Sequence, residues 1–224
     1  MTRILLLLIM ITGIVSCQKQ ETILVIAPIP DSASYKVILT TKWTSPVFTV
    51  PANAHLTTLA GMVHSKDTFL WNNGLATAGL ELVAEVGNTG VIRKELDTII
   101  ARQKALSKFL IPPPVINSTI EFQLSFTKNF SSISFASMIA PSPDWFTGIN
   151  NYNLIQDNKW VDDITIDLLV YDAGTEDGDV FGYDSPATSP LQNVSLLKAV
   201  NATVLANGNP LIGKIATLRF VRNL

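Results

Sequence analysis

Cysteine is almost missing from this chain. Cys17 is the only one in 224 residues, so no internal disulfide can form. A domain of this length does not need one, because it can bury a sufficient apolar core. Histidine is nearly as scarce, with only His55 and His64. Zinc would need more nitrogen and sulfur ligands than these supply, and His64 reads as a structural hydrogen-bonding residue rather than a base. No Gly-x-Ser-x-Gly elbow and no glycine-rich phosphate loop occurs. Basic clusters are absent too: 16 Lys and Arg face 18 Asp and Glu, and the pI is near 5.6, which argues against a nucleic-acid partner.

The most telling absence is local. Residues 160–197 carry eight of the 18 carboxylates and not one Lys or Arg. The centre of this stretch reads Tyr171-Asp172-Ala173-Gly174-Thr175-Glu176-Asp177-Gly178-Asp179, directly after the strand-like run 164–170. Crowded carboxylates repel one another. Such a loop is tolerated if it lies wide open to water, or if a hard cation sits among its acids. Ca²⁺ is the natural ion, since it accepts roughly six to eight oxygen ligands. The loop is not an EF-hand: counted from Asp172, the Gly and Glu positions of that motif hold Asp177 and Tyr183.

The chain begins with Arg3, an apolar run over residues 4–15 and then Ser16-Cys17. The run is shorter than the roughly 20 residues needed to span a bilayer. Its charge, length and small-residue exit are those of a secretory signal. Ile14-Val15-Ser16-Cys17 also resembles a bacterial lipoprotein box, in which the Cys is lipidated; the alternative is an ordinary cleaved signal with an incidental Cys. Residues 1–17 are therefore expected to be a lipoprotein signal with lipidated Cys17. The expected location is the bacterial cell envelope, at the outer membrane because Gln18 rather than Asp follows the Cys. On that reading the four Asn-x-Ser/Thr sequons, at Asn117, Asn129, Asn193 and Asn201, are chance matches.

Residues 18–34, with Pro28 and Pro30, read as a tether, although Ile23 to Ile26 also suits a first strand. One domain is expected over 35–224. Tyr35 to Trp43 alternates as a strand does. A helical block is expected over Gly74 to Lys108. Its first helix carries a stripe of Leu75, Ala78, Leu82 and Val86 and is closed by Gly87-Asn88. Its second carries Ile92, Leu96, Ile99, Ile100 and Leu106, with Thr89 as a possible cap. Glu81 and Glu85, one turn apart, read as a solvated face. The second half is β by pattern. Strands are expected over 120–126, then after a turn at Lys128-Asn129 over 133–139, and over 164–170, 200–205 and 215–221. Helices confined to one block argue against a parallel doubly wound sheet and for an antiparallel β-sandwich.

Three ordered blocks resemble a known family. His64-Ser65, Phe69-Leu70-Trp71, Ala76-Thr77-Ala78-Gly79-Leu80 and Leu82 to Gly87 resemble the first block of the spondin amino-terminal domain. Ser134 to Phe146, ending in Ala140-Pro141-Ser142-Pro143-Asp144-Trp145-Phe146, resembles its most diagnostic block. Asp167 to Gly178, with Ser185-Pro186 and Pro190 beyond, resembles the third. The resemblance implies a sandwich like those of calcium-dependent lipid-binding modules, with one Ca²⁺ held by loops at one end. Carried over residue by residue, the implied ligands are Asp144, Asp172 and Glu176. Glu176 departs from the family's Asp, and Asp177 beside it is the substitute or additional ligand. Ala187 stands where relatives often have Asn, which removes a possible oxygen. The cysteines and thrombospondin repeats of animal members are missing here. Asp144 also suits a plain alternative, the N-cap of a short helix, and Trp145 and Phe146 read as packing residues.

Two classes of function follow. The first is a non-enzymatic calcium-binding adhesion or ligand-binding module, membrane-attached through its lipid, whose partner is an extracellular protein or glycan. The second is a hydrolase of envelope or extracellular polymers using paired carboxylates, although nothing in the sequence shows the cleft such an enzyme needs. A structural subunit of a surface complex is a third reading that sequence does not separate from the first.

Overall fold

The computed structural model describes residues 28–197, 204–205 and 214–223. Cys17, most of the tether and most of the expected strand 200–205 lie outside the described residues; Val204 and Leu205 form a turn.

Three strands come first: β1 (Ser32–Thr41), the short β2 (His55–Leu56) and β3 (Leu59–His64). Two helices follow, α1 (Ala78–Val86) and α2 (Gly90–Ala101). The rest is β: β4 (Ala105–Ile111), β5 (Thr119–Thr127), β6 (Ser132–Ala140), β7 (Trp145–Asn153), a small hairpin of β8 (Ile155–Gln156) and β9 (Lys159–Trp160), β10 (Asp163–Asp172), β11 (Ser195–Leu196) and β12 (Ala216–Arg222). The main sheet runs β4-β3-β6-β7-β10-β12-β1-β5, with β2 added to β6 and β11 to β10. Every pairing is antiparallel.

β10 is the corner of this nearly closed sandwich. Asp163 to Leu168 pair with β12, and Leu169 to Asp172 pair with β7. One strand thus belongs to both faces, and its far end delivers the acidic loop. The interior between the faces holds Tyr35, Val37, Leu39, Phe126, Phe135, Trp145, Leu168, Val170 and Phe220. A second core lies outside, between the sheet and the helices, where Leu80, Val83, Ile92 and Leu96 meet Ala60, Met62, Ala136 and Phe146. Trp145 and Phe146, adjacent in sequence, fill one core each, which bears out their reading as packing residues.

His64 is fully buried, with Nδ1 2.8 Å from the Ser65 carbonyl oxygen and Nε2 2.8 Å from Ser134 Oγ. Burial lowers its pKa. This is the structural role expected for it.

Several expectations are corrected. β1 begins at Ser32, so the last residues of the expected tether are strand. The helical block stops at Ala101, and residues 105–111 form β4; Leu106 is an exposed strand residue, not part of a helix stripe. α1 buries Gly79, Leu80, Val83 and Ala84, while Leu75 and Val86 are exposed. Its apolar residues allow two stripes, and on the buried one Gly79 admits the close approach of α2, where a Cβ would sit 2.6 Å from Ile92 Cα. Thr77 caps this helix through Leu80 N, and Gly87 ends it at φ 65°. Thr89 occupies the cap position of α2 but makes no side-chain cap bond; Asn88 Oδ1 accepts from Gly90 N instead. The turn at Lys128-Asn129 exists, but β6 does not return along β5. It crosses to pair with β3 and β7, while β5 pairs with β1.

Candidate metal centre

Three chain segments converge where β10 ends. The first is the bend between β6 and β7, which carries Asp144. It is pinned by Ser142, whose Oγ accepts from Trp145 N at 3.1 Å. Asp144 caps no helix: Trp145 opens a strand. The second is the loop after Asp172, tied back by Ala173 N donating to the Asp144 carbonyl oxygen at 3.2 Å. The third is the 185–192 segment, held by Asp177 N to the Pro186 oxygen, Thr188 N to the Thr175 oxygen and Gln192 N to the Gly174 oxygen, at 2.8–2.9 Å. Gly174 turns the loop at φ 73°, and a Cβ there would sit 2.4 Å from the Gln192 oxygen.

Asp144 is completely buried. Its Oδ2 accepts from Thr175 N at 2.7 Å, Glu176 N at 3.1 Å and Thr175 Oγ1 at 3.3 Å. Its Oδ1 is buried with no protein partner. Half-buried Asp172 accepts from Gly174 N at 2.8 Å. Glu176 also holds a buried oxygen, Oε2, without a partner. Asp177 points elsewhere: it is exposed and its Oδ1 accepts from Thr188 Oγ1 at 2.7 Å. Between the two acids left open by sequence, Glu176 is the one with a vacant buried oxygen. Ala187 bridges Glu176 across the loop, so the side chain absent at that position borders the cluster.

The electrostatics agree with the geometry. Burial, reinforced by Asp144 and Asp177, pushes Asp172 up to about 6. Burial, then Glu85, Asp144 and Asp184, pushes Glu176 up to about 7. Burial raises Asp144 against its own hydrogen bonds. Glu85 of α1 is also raised, by burial first and then by Glu81 and Asp144. Glu85, read as part of a solvated helix face, is instead half-buried and near enough to the cluster to raise Glu176, which helix period alone does not reveal. Among the described residues no Lys, Arg or His pairs with these acids; the described salt bridges all lie elsewhere. Among the described residues, no three His, Cys, Asp or Glu side chains form a ready ion cage. The donor chemistry nonetheless suits a hard cation: carboxylates only, two with orphaned buried oxygens.

A nearly closed antiparallel sandwich with an outer helical pair and an acidic loop cluster at one end defines the class. The Spondin_N family model matches residues 33–207, and the chain belongs to the spondin amino-terminal domain family. It is similar to Spondin-2 of Rattus norvegicus and of Homo sapiens, each 30% identical over 185 residues, covering 78% of this chain and 56% and 55% of those proteins. It is also similar to Spondin-1 of Gallus gallus, 29% identical over 154 residues, covering 66% of this chain and 19% of that protein. The chain thus spans about half the length of the Spondin-2 relatives and a much smaller part of Spondin-1. No described helix is long and apolar enough to cross a membrane.

Proposed function

We propose that this domain is a calcium-organised, non-enzymatic ligand-binding or adhesion module, held at the cell envelope by a lipid on Cys17. The observation that carries the reading is Asp144, fully buried with Oδ1 lacking any partner. An ionised carboxylate in that position costs several kcal/mol unless it is neutralised or paired. Asp144, Asp172 and Glu176 would hold the ion, with loop carbonyls completing its shell. Asp177, engaged by Thr188, braces the 185–192 segment. The ion supplies positive charge that lets these acids ionise together, and so joins the β6–β7 bend to the loop after β10. The residues themselves already draw both loops together through the Asp144 Oδ2 bonds, which leaves the ion to fix the outer surface.

Thermal unfolding with and without Ca²⁺ tests this. The wild-type melting temperature should rise with Ca²⁺ and fall back with chelator, by the mass-action stabilisation of a ligand that binds only the folded state. Asp144→Asn should remove that response. A melting temperature indifferent to Ca²⁺ would remove the basis for a calcium-organised surface.

A further inference from the structure

A second site lies beside the acidic cluster. An open groove of about 680 Å³ runs along the seam between β10, β11 and the loop before α1. Small-ligand sites occupy roughly 300–1,000 Å³. Trp71 and Tyr171 form its wall, with ring centroids 5.3 Å apart, and Phe146 stacks behind Tyr171 at 5.3 Å. Asn73, Asn193 and Ser195 stand at its polar margins, and Leu196, 48% exposed, forms an apolar lip opposite Tyr171. No hydrogen bond to another described residue engages the Asn73, Asn193 or Tyr171 side chain. Asn150, at the back, is by contrast committed, accepting from Leu70 N and donating to the Trp71 oxygen.

The lining has one chemical peculiarity. The chain is acidic in this region, yet among the described residues no Asp, Glu, Lys, Arg or His lines the groove. Carboxamides and hydroxyls both donate and accept, and an aromatic wall packs against the apolar C–H face of a pyranose ring. A charged ligand would find no counter-ion among the described lining residues. A fully apolar one would leave the amides unpaired, which is costly where water is displaced. An extended peptide adding to the sheet needs a longer edge than the two residues of β11 offer. We propose that this groove binds a neutral saccharide, with Asn73, Asn193 and the Tyr171 hydroxyl reading its hydroxyls and the aromatic wall packing against the ring. This deepens the ligand-binding reading above by naming the ligand class, but it does not need the calcium site.

The test uses the full chain on an array of neutral hexose and N-acetylhexosamine tetrasaccharides, with sulfated counterparts and a pool of extended peptides as controls. Binding is then titrated by tryptophan fluorescence, to which Trp71 contributes. At least one neutral tetrasaccharide should bind. Asn73→Ala and Asn193→Ala should each weaken it about tenfold, as loss of a neutral hydrogen bond predicts, and Tyr171→Phe should act similarly. All three variants should keep the wild-type melting temperature, since none of these groups has a described protein partner. No neutral sugar bound, affinity unchanged in the variants, or preference for sulfated sugars or peptides would overturn the proposal. Chelator and Asp144→Asn, run in parallel, separate the two readings. Sugar binding that persists without any Ca²⁺ effect on melting sinks the calcium reading alone. A Ca²⁺ effect without sugar binding sinks the groove alone.

Discussion

At the level of single residues, the structure turns on acids held where acids are uncomfortable. Asp172 is raised to about 6 and Glu176 to about 7, mainly by burial and then by neighbouring carboxylates. A raised acid pKa means that the folded chain holds its proton more tightly than the unfolded chain does. That contribution to stability is complete below the unfolded values near 4 and is lost as pH rises through the folded values. The metal-free protein should therefore melt at a lower temperature at pH 8 than at pH 5. Saturating Ca²⁺ should flatten or reverse that slope. Asp172→Asn should melt as high as wild type or higher in chelator at pH 8, because it removes one repelling charge, and lower than wild type in Ca²⁺. Asp179→Asn, outside the cluster, should change neither. Asp144, Asp172 and Glu176 stand in the blocks that resemble the family's loops, and the structure sets Asp144 close enough to raise both of the others. Sequence missed Glu85 because a Glu among the apolar residues of α1, where two stripes are possible, gives no sign of which way the helix will face.

At the level of elements, legibility follows how many faces are covered. β5 and the first part of β10 alternate exposed and buried positions, and their period-two patterns are plain in sequence. β3 and β6 are buried at every position, with one face in the sandwich and the other under the helices. Leu59-Ala60-Gly61-Met62-Val63 shows no alternation and is not legible as a strand, whereas β6, buried just as fully, is legible over 133–139 because Ile133 and Phe135 alternate with serines. β7 carries Gly148 and a run of Asn, which strand preferences disfavour; it is a strand because β6 and β10 enclose it. α1 could present either of two apolar stripes, and only the sheet beneath decides. Leu80→Ala on the chosen stripe, at a fully buried position, should cost about 2–5 kcal/mol in denaturant titration. Leu75→Ala, at an exposed one, should cost well under ~1 kcal/mol. In the acidic loop, Gly174→Ala faces both a positive φ and the Gln192 oxygen. It should lower stability in chelator and Ca²⁺ alike, unlike the charge variants.

At the level of the whole molecule, the two layers divide the labour. The interior of the sandwich supplies rigidity, and the helical pair outside supplies a second core under which the acidic loop and the amide-lined groove come to lie side by side. Two of the three family-like blocks feed the bend between β6 and β7 and the far end of β10, which meet at this one end; the first begins at the opposite end, where His64 pairs with Ser132, and reaches the cluster through Glu85 of α1. The anchor is a separate matter, since Cys17 precedes the described residues. With Cys17 lipidated, the protein should fractionate with membranes, and multiple acyl chains would make that attachment stable. Cys17→Ser should release it to the soluble fraction with its melting temperature unchanged; equal membrane association of the variant would discard the anchor.

The central claim is that Asp144, Asp172 and Glu176 bind one Ca²⁺ between them. Isothermal titration of the folded, metal-stripped protein with Ca²⁺ tests it most directly. The account predicts one saturable site in the wild type, loss of that site in Asp144→Asn and Asp172→Asn, and a site retained in Asp179→Asn. No heat of binding in the wild type, or an unchanged isotherm in Asp172→Asn, would contradict it.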